Sequence, residues 1–260
     1  MSETQIGWAG LAASLILIAV AIALSAWQQL HLSASIAWAS ARAAVQLLLV
    51  GWALKLILEP DAPVAWAWVW VAVMVVFAGA TIRRRAPEVP GILPLGMLAM
   101  LAVVTVSLAV ILGFGIFPAE GRTIVPLAGM MVGNSMTASV VVGRRIVGEL
   151  SDKRDEVEAR LALGHSWPDA SRPYVRAALR TALIPQIEST KAVGLVFLPG
   201  AMTGLVLAGV DAADAVSIQL AIMYLILGSV ATSITVIGLG LSRRLFTPDH
   251  RLRRLQRVDR

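Results

Sequence analysis

The sequence contains no cysteine, three histidines and little charge, with Asp, Glu, Lys and Arg making up 15% of its 260 residues. Without cysteine there is no disulfide frame, thiolate metal site or thiol nucleophile. So little charge excludes an ordinary soluble domain, in which about 25% of residues are charged. No Gly-x4-Gly-Lys-Ser/Thr run occurs, so the chain has no P-loop for ATP. His-Glu-x2-His and Gly-x-Ser-x-Gly are also absent, and the polypeptide reads as catalytically silent. What is present is apolar: 58% hydrophobic residues and a mean hydropathy of +0.78. Only lipid tolerates that much apolar surface, and the expected class is an all-α, polytopic integral membrane protein.

A helix needs about 20 apolar residues to cross the hydrocarbon. Seven stretches qualify: Gly7–Trp27, Ile36–Leu58, Pro63–Ile82, Ile92–Phe117, Ile124–Val142, Ala192–Gly209 and Ala215–Leu241. Orientation follows from Lys and Arg, which stay inside. With the N-terminus outside and the C-terminus inside, the inner connections hold Arg83–Arg85, the many basic residues between Arg144 and Arg180, and those of the tail 242–260. The outer connections hold Arg122 alone, beside Glu59, Asp61, Glu120, Asp211 and Asp214. The net charge of +6 thus favours an anionic lipid surface in the plasma (inner) membrane over nucleic acid. The whole chain, 1–260, reads as one transmembrane domain.

One connection is large, about 144–190, and by the charge count it is cytoplasmic. Its first part, through Leu163, reads as the fifth helix continuing into water, with Gly164 as its stop. Ser166-Trp167-Pro168-Asp169 has a capping-box pattern, which predicts a second helix over Ser166–Leu179. Arg172, Arg176 and Arg180 form a basic stripe along it. That stripe suits either a solvated face beside anionic lipid or a docking surface for a soluble partner.

Glu158-Ala159-x4-Gly164 resembles the start of the EAA loop of ABC-transporter permeases, a cytoplasmic helix that sits in a groove of the ATPase. Wider stretches extend the likeness: Arg42-Ala43-x2-Gln46-Leu47, Pro126–Met136 with its Gly133-Asn134, Leu161–Gly164, Ala182–Pro185 and Gly194–Gly204 with its Pro199-Gly200-x-Met202-Thr203-Gly204. In that order they resemble the FetB-type permeases, which include bacterial iron exporters and plant aluminium-sensitivity proteins. The resemblance implies a homodimeric permease subunit paired with a separate ATPase. ATP and magnesium would then bind the partner, and this chain would hold no cofactor of its own. It implies coupling through Glu158, Ala159, Gly164, Ser166, Arg172 and Arg176. It implies export of iron or another metal cation, with a non-metal cargo as one alternative. A secondary transporter or channel working alone is another, and a lipid-acting enzyme lacks the polar cluster it would need.

Polar groups at membrane depth face protein or water, since lipid cannot satisfy them. Arg42 and Gln46 lie one turn apart in the second span, and Asn134 lies in mid-span five. Each suits either a bond between helices or a translocation path. Gln186 and Glu188 precede the sixth span, with Lys191 one turn after Glu188. The carboxylate is either half of an interfacial ion pair or a cytoplasm-facing oxygen ligand for a hard cation. Gly129-x3-Gly133 and Gly200-x3-Gly204 allow close helix approach, within the chain or across a dimer. Pro199-Gly200 should break span six, placing Thr203 at the break.

Overall fold

A computed structural model describes residues 8–57, 63–249 and 251–253. Nine helices, and no strand, are found among them. The chain divides into two bodies, 1–62 and 63–260.

The first body is a helical hairpin of α1 (Trp8–Trp27) and α2 (Ser33–Ile57). Gln29 and His31 adopt the left-handed conformation that lets the chain reverse in so few residues. Buried Ser25 fastens the turn, its Oγ accepting from the Leu32 N–H at 3.3 Å.

The second body holds α3 (Val64–Arg85), α4 (Ile92–Gly113), α5 (Gly121–Asp152), α6 (Arg154–Ala162), α7 (Trp167–Ala192), α8 (Gly200–Leu207) and α9 (Ala212–Leu245). Helices α5 and α9 form its axis, running parallel, with the Ser233 hydroxyl 3.5 Å from the Ser135 carbonyl. Helix α4 runs antiparallel to α9, held in register by Gly91 beside Arg244 and by Leu95 seated on Gly240. Helix α3 packs on α4 and α5, and α7 packs antiparallel along α5 and α9. Two contacts set that last register: Trp167 stacks on Phe246, ring centroids 5.7 Å apart, and Leu179 lies against Gly238. A Cβ on Gly238 would stand 2.9 Å from the Leu179 side chain, so only glycine lets the two helices meet there undisturbed.

Most charges between the spans gather at one end of this bundle, and only Glu120, Arg122, Asp211 and Asp214 stand at the other. Arg144 pairs with Glu88 at 2.6 Å, and Arg83 donates to the Pro87 carbonyl, pinning the 86–91 turn over buried Val89. Away from that end, Val76, Phe77, Leu98, Leu101 and Val106 lie exposed on α3 and α4. No water-soluble body leaves such continuous apolar faces open, and lipid is the solvent that fits them. Five of the described helices are long and apolar enough to cross a membrane: α2, α3, α4, α5 and α9, with α1 shorter. Six of the seven expected spans coincide with these.

The sixth expected span, Ala192–Gly209, is not a single helix. Helix α7 stops at Ala192. Gly194 then takes a left-handed turn, its N–H donating to the Phe197 carbonyl at 3.0 Å. Pro199 starts the eight-residue α8. The break expected at Pro199-Gly200 is therefore present, but it ends a turn that begins five residues earlier. The connection 144–190 also differs from expectation. The fifth helix ends at Asp152, and α6 starts two residues later. The second helix does not stop near Leu179. It runs on through Pro173 and Pro185 for 26 residues.

Candidate functional site

Two regions carry the polar side chains that the apolar bulk does not explain. The first is the elbow of α6, Gly164 and α7 at the charged end. Gly164 has φ +89°, with open space where a Cβ would stand, and it turns the chain between the two helices. Ser166 precedes α7, but its hydroxyl donates to the Asp169 carboxylate at 2.6 Å instead of capping a backbone N–H. That bond, then Arg172 at 3.0 Å, holds the Asp169 carboxyl below its usual range. Glu158 pairs with Arg154 at 2.7 Å, while Ala159, Arg172 and Arg176 lie exposed. Tyr174 on α7 donates to Glu156 on α6 at 2.9 Å and lies under the Arg160 guanidinium, which joins the two arms of the elbow. Lys153, then Tyr174, lower the Glu156 carboxyl below its usual range. This depressed carboxyl supports the elbow above its unfolded pKa, and the support is lost as pH falls through the folded value.

The tail, read from sequence only as basic, folds back onto this elbow. Phe246 bridges to Leu252, and the Thr247 N–H donates to the Arg251 carbonyl at 2.9 Å. Arg154 then donates to the carbonyls of Leu252 and Arg253, at 3.0 and 3.2 Å. Phe246 and Leu252 are both 4% exposed. The sequence signal for this clasp was a pair of aromatics, Trp167 and Phe246, in segments otherwise polar. Trp167→Ala should cost about 3 kcal/mol or less, because Trp167 is half-buried and the stacking share of such a pair is about 0.5–1.5 kcal/mol. Proteolysis of the purified chain checks this: cleavage near residue 250 should speed up while the spans stay protected. Unchanged cleavage would mean that the stack does not hold the tail.

The second region is the uncovered side of α5 and α7. On α5, Pro126, Gly133, Asn134, Thr137 and Val141 are exposed, and the Asn134 amide donates to its own helix at the Met130 carbonyl, 2.8 Å away. On α7, Ala177, Thr181, Ile184, Glu188 and Lys191 follow each other at spacings of four and three, all exposed. Lys191 Nζ donates to Glu188 Oε1 at 2.9 Å. At about 1.5 Å per residue, α7 carries Glu188 about 14 Å beyond Leu179, and Gly238 is itself about 9 Å from the level of Arg244. Followed along a straight α7, that distance reaches the level of the far half of α4, whose 22 residues include no charge. Glu188 is the only carboxylate between the ends of the bundle among the described residues.

The other expected positions are dispersed. Gln186 is half-buried on α7, and Thr203 is exposed on α8, its hydroxyl donating to the Pro199 carbonyl at 3.2 Å. Gly129 meets Met74 of α3, whereas Gly133, Gly200 and Gly204 have nothing within reach of a Cβ among the described residues. Arg42 and Gln46 are exposed on α2, in the other body. Sequence reasoning passed over a line of buried hydroxyls: Ser107 on α4, Ser135 and Ser139 on α5, Ser229 and Ser233 on α9. Those of Ser135 and Ser139 find no hydrogen-bond partner among the described residues. The i,i+4 serines on two neighbouring spans were their signal. Among the described residues, no three His, Cys, Asp or Glu side chains come together.

Helices with lipid-facing flanks, most charges gathered at one end and a polar face left open between the ends define a multi-pass helical membrane protein. Within that class, the chain belongs to the family described as uncharacterised protein family UPF0014, whose profile matches residues 8–246. It is 36% identical over 231 residues to the UPF0014 membrane protein STAR2 of Oryza sativa, covering 89% of this chain and 81% of the relative. It is 32% identical over 222 residues to the protein ALUMINUM SENSITIVE 3 of Arabidopsis thaliana, 85% of this chain and 81% of the relative. It is 32% identical over 254 residues to the probable iron export permease protein FetB of Escherichia coli, 95% and 94%. The resemblance drawn from the motifs is thereby shown. No solved structure matches the chain.

Proposed function

We propose that this chain is the permease subunit of an ABC transporter that moves a metal cation, iron among the candidates, out of the cell. Two copies would form the path in the plasma (inner) membrane, and a separate ATPase subunit would bind ATP and magnesium. The observation that carries this reading is the uncovered ion pair on α7 at the level of the apolar spans. Such groups cannot face lipid cheaply, so a water-filled path or a second copy is what they would face. The full-length likeness to a probable iron export permease supports the cargo class.

In this reading Glu188 is the cation's carboxylate. Asn134, Gln186 and Thr203 supply further polar groups along the path. Gly133, Gly200 and Gly204, open within one chain, let the second copy approach. The elbow, with Glu158, Ala159, Gly164, Ser166, Arg172 and Arg176, is the ATPase contact. Vesicles holding the chain and its co-purified ATPase test the proposal: cation flux should require ATP. Flux without ATP would make the chain a secondary transporter or channel.

This reading also needs the N-terminus outside and the elbow inside. The chain has no native cysteine, so one placed at Ser2 should react with an impermeant maleimide from outside the cell. Reaction only from the cytoplasmic side would invert the topology.

A further inference from the structure

The pair on α7 is built unlike a resident metal site. A resident site gathers several oxygens around the ion, and among the described residues no three His, Cys, Asp or Glu side chains come together here. Its partner is instead a cation of the chain's own, held three residues along the same helix at 2.9 Å. Both groups are mostly open, at 61% and 66% side-chain exposure. Both lie at the level of the uncharged far half of α4, where an unpaired carboxylate is costly.

We infer that Lys191 is a tethered stand-in for the cargo. Its ammonium occupies the Glu188 carboxylate while the path is empty. A divalent cation must displace it to bind, and the ammonium returns as the cation leaves. This rests on the reading of Glu188 as a cation ligand, and it specifies how that ligand works. The tether offers the carboxylate a monovalent competitor at fixed high local concentration, which weakens cation binding and speeds release. A divalent ion has the advantage of twice the charge. Pro185 adds an oxygen on the same face, because it has no N–H to give to the Thr181 carbonyl one turn back. The ligand class is a hard, oxygen-seeking divalent cation bound weakly and in passing.

Manganese(II) is the probe, with its free-ion electron paramagnetic resonance signal titrated against the purified full-length chain in detergent. Lys191→Gln should tighten the Glu188-dependent binding about threefold, the most that a pair of this exposure can hold back, and Lys191→Arg, which keeps a cation there, should bind as the wild type does. Glu188→Gln should lose that binding step, and each variant is first checked for monodisperse elution. If Glu188→Gln loses the step while Lys191→Gln binds like the wild type, the stand-in is overturned and the cation ligand survives. If Glu188→Gln binds manganese like the wild type, the ligand reading falls and takes the stand-in with it.

Discussion

Replacing Glu188 with glutamine should reduce ATP-driven cation flux at least tenfold in vesicles that contain the chain and its ATPase. The substitution keeps the side chain's size and an oxygen acceptor, and removes only the charge. A tenfold loss corresponds to about 1.4 kcal/mol, well within what one charged ligand contributes to a desolvated cation. Helix α7 should be little disturbed, because the pair with Lys191 is exposed and of the i,i+3 kind, which contributes about 0.2–0.5 kcal/mol to a helix. Reduced flux with normal amounts of protein in the membrane is therefore a statement about the path. Wild-type flux from this variant would leave the pair as a structural one and remove the carboxylate from the mechanism.

The second large effect is expected at the elbow. Gly164→Val should abolish most of the stimulation of the ATPase by the permease, with the spans still inserted. At φ +89° an L side chain is strained, and a β-branched one most of all, by about 1–3 kcal/mol. There is open space at the site, so the strain is not steric crowding by neighbours. The backbone would relieve it by changing the angle between α6 and α7, which moves Glu158 and Ala159 relative to Arg172 and Arg176. Gly164→Asn is the control, since asparagine tolerates this conformation, and it should retain most coupling. Equal co-purification and equal ATPase stimulation from Gly164→Val and wild type would discard the elbow as the coupling element.

Helices α1 to α5 and α9 were legible because a run of about 20 apolar residues is a property of composition alone. Helix α7 was not, for two opposite reasons. Its outer face carries Arg172, Arg176, Arg180, Glu188 and Lys191, which dilute any apolar signal, while its inner face is covered by α5 and α9 through contacts far apart in sequence. The stretch from Val193 to Leu198 failed in the other direction, apolar enough to count as membrane helix yet folded as a turn by Gly194 and Pro199. Glu188 could be named as a candidate from its charge. Its level in the bundle depended on Leu179 meeting Gly238, which no local pattern encodes. The clasp of the tail was the least legible part, because Arg154 reaches main-chain carbonyls, and a carbonyl has no side-chain signature.

That clasp has a practical consequence for anyone handling the protein. Arg253 is held by its own carbonyl against the first residue of α6, so anything joined close behind it starts beside the elbow. An affinity tag or fluorescent protein fused there would crowd the surface on which a soluble subunit would sit, and a partner could be lost in purification through the tag alone. Pull-downs therefore belong on the other terminus, or behind a long flexible spacer placed after Arg260.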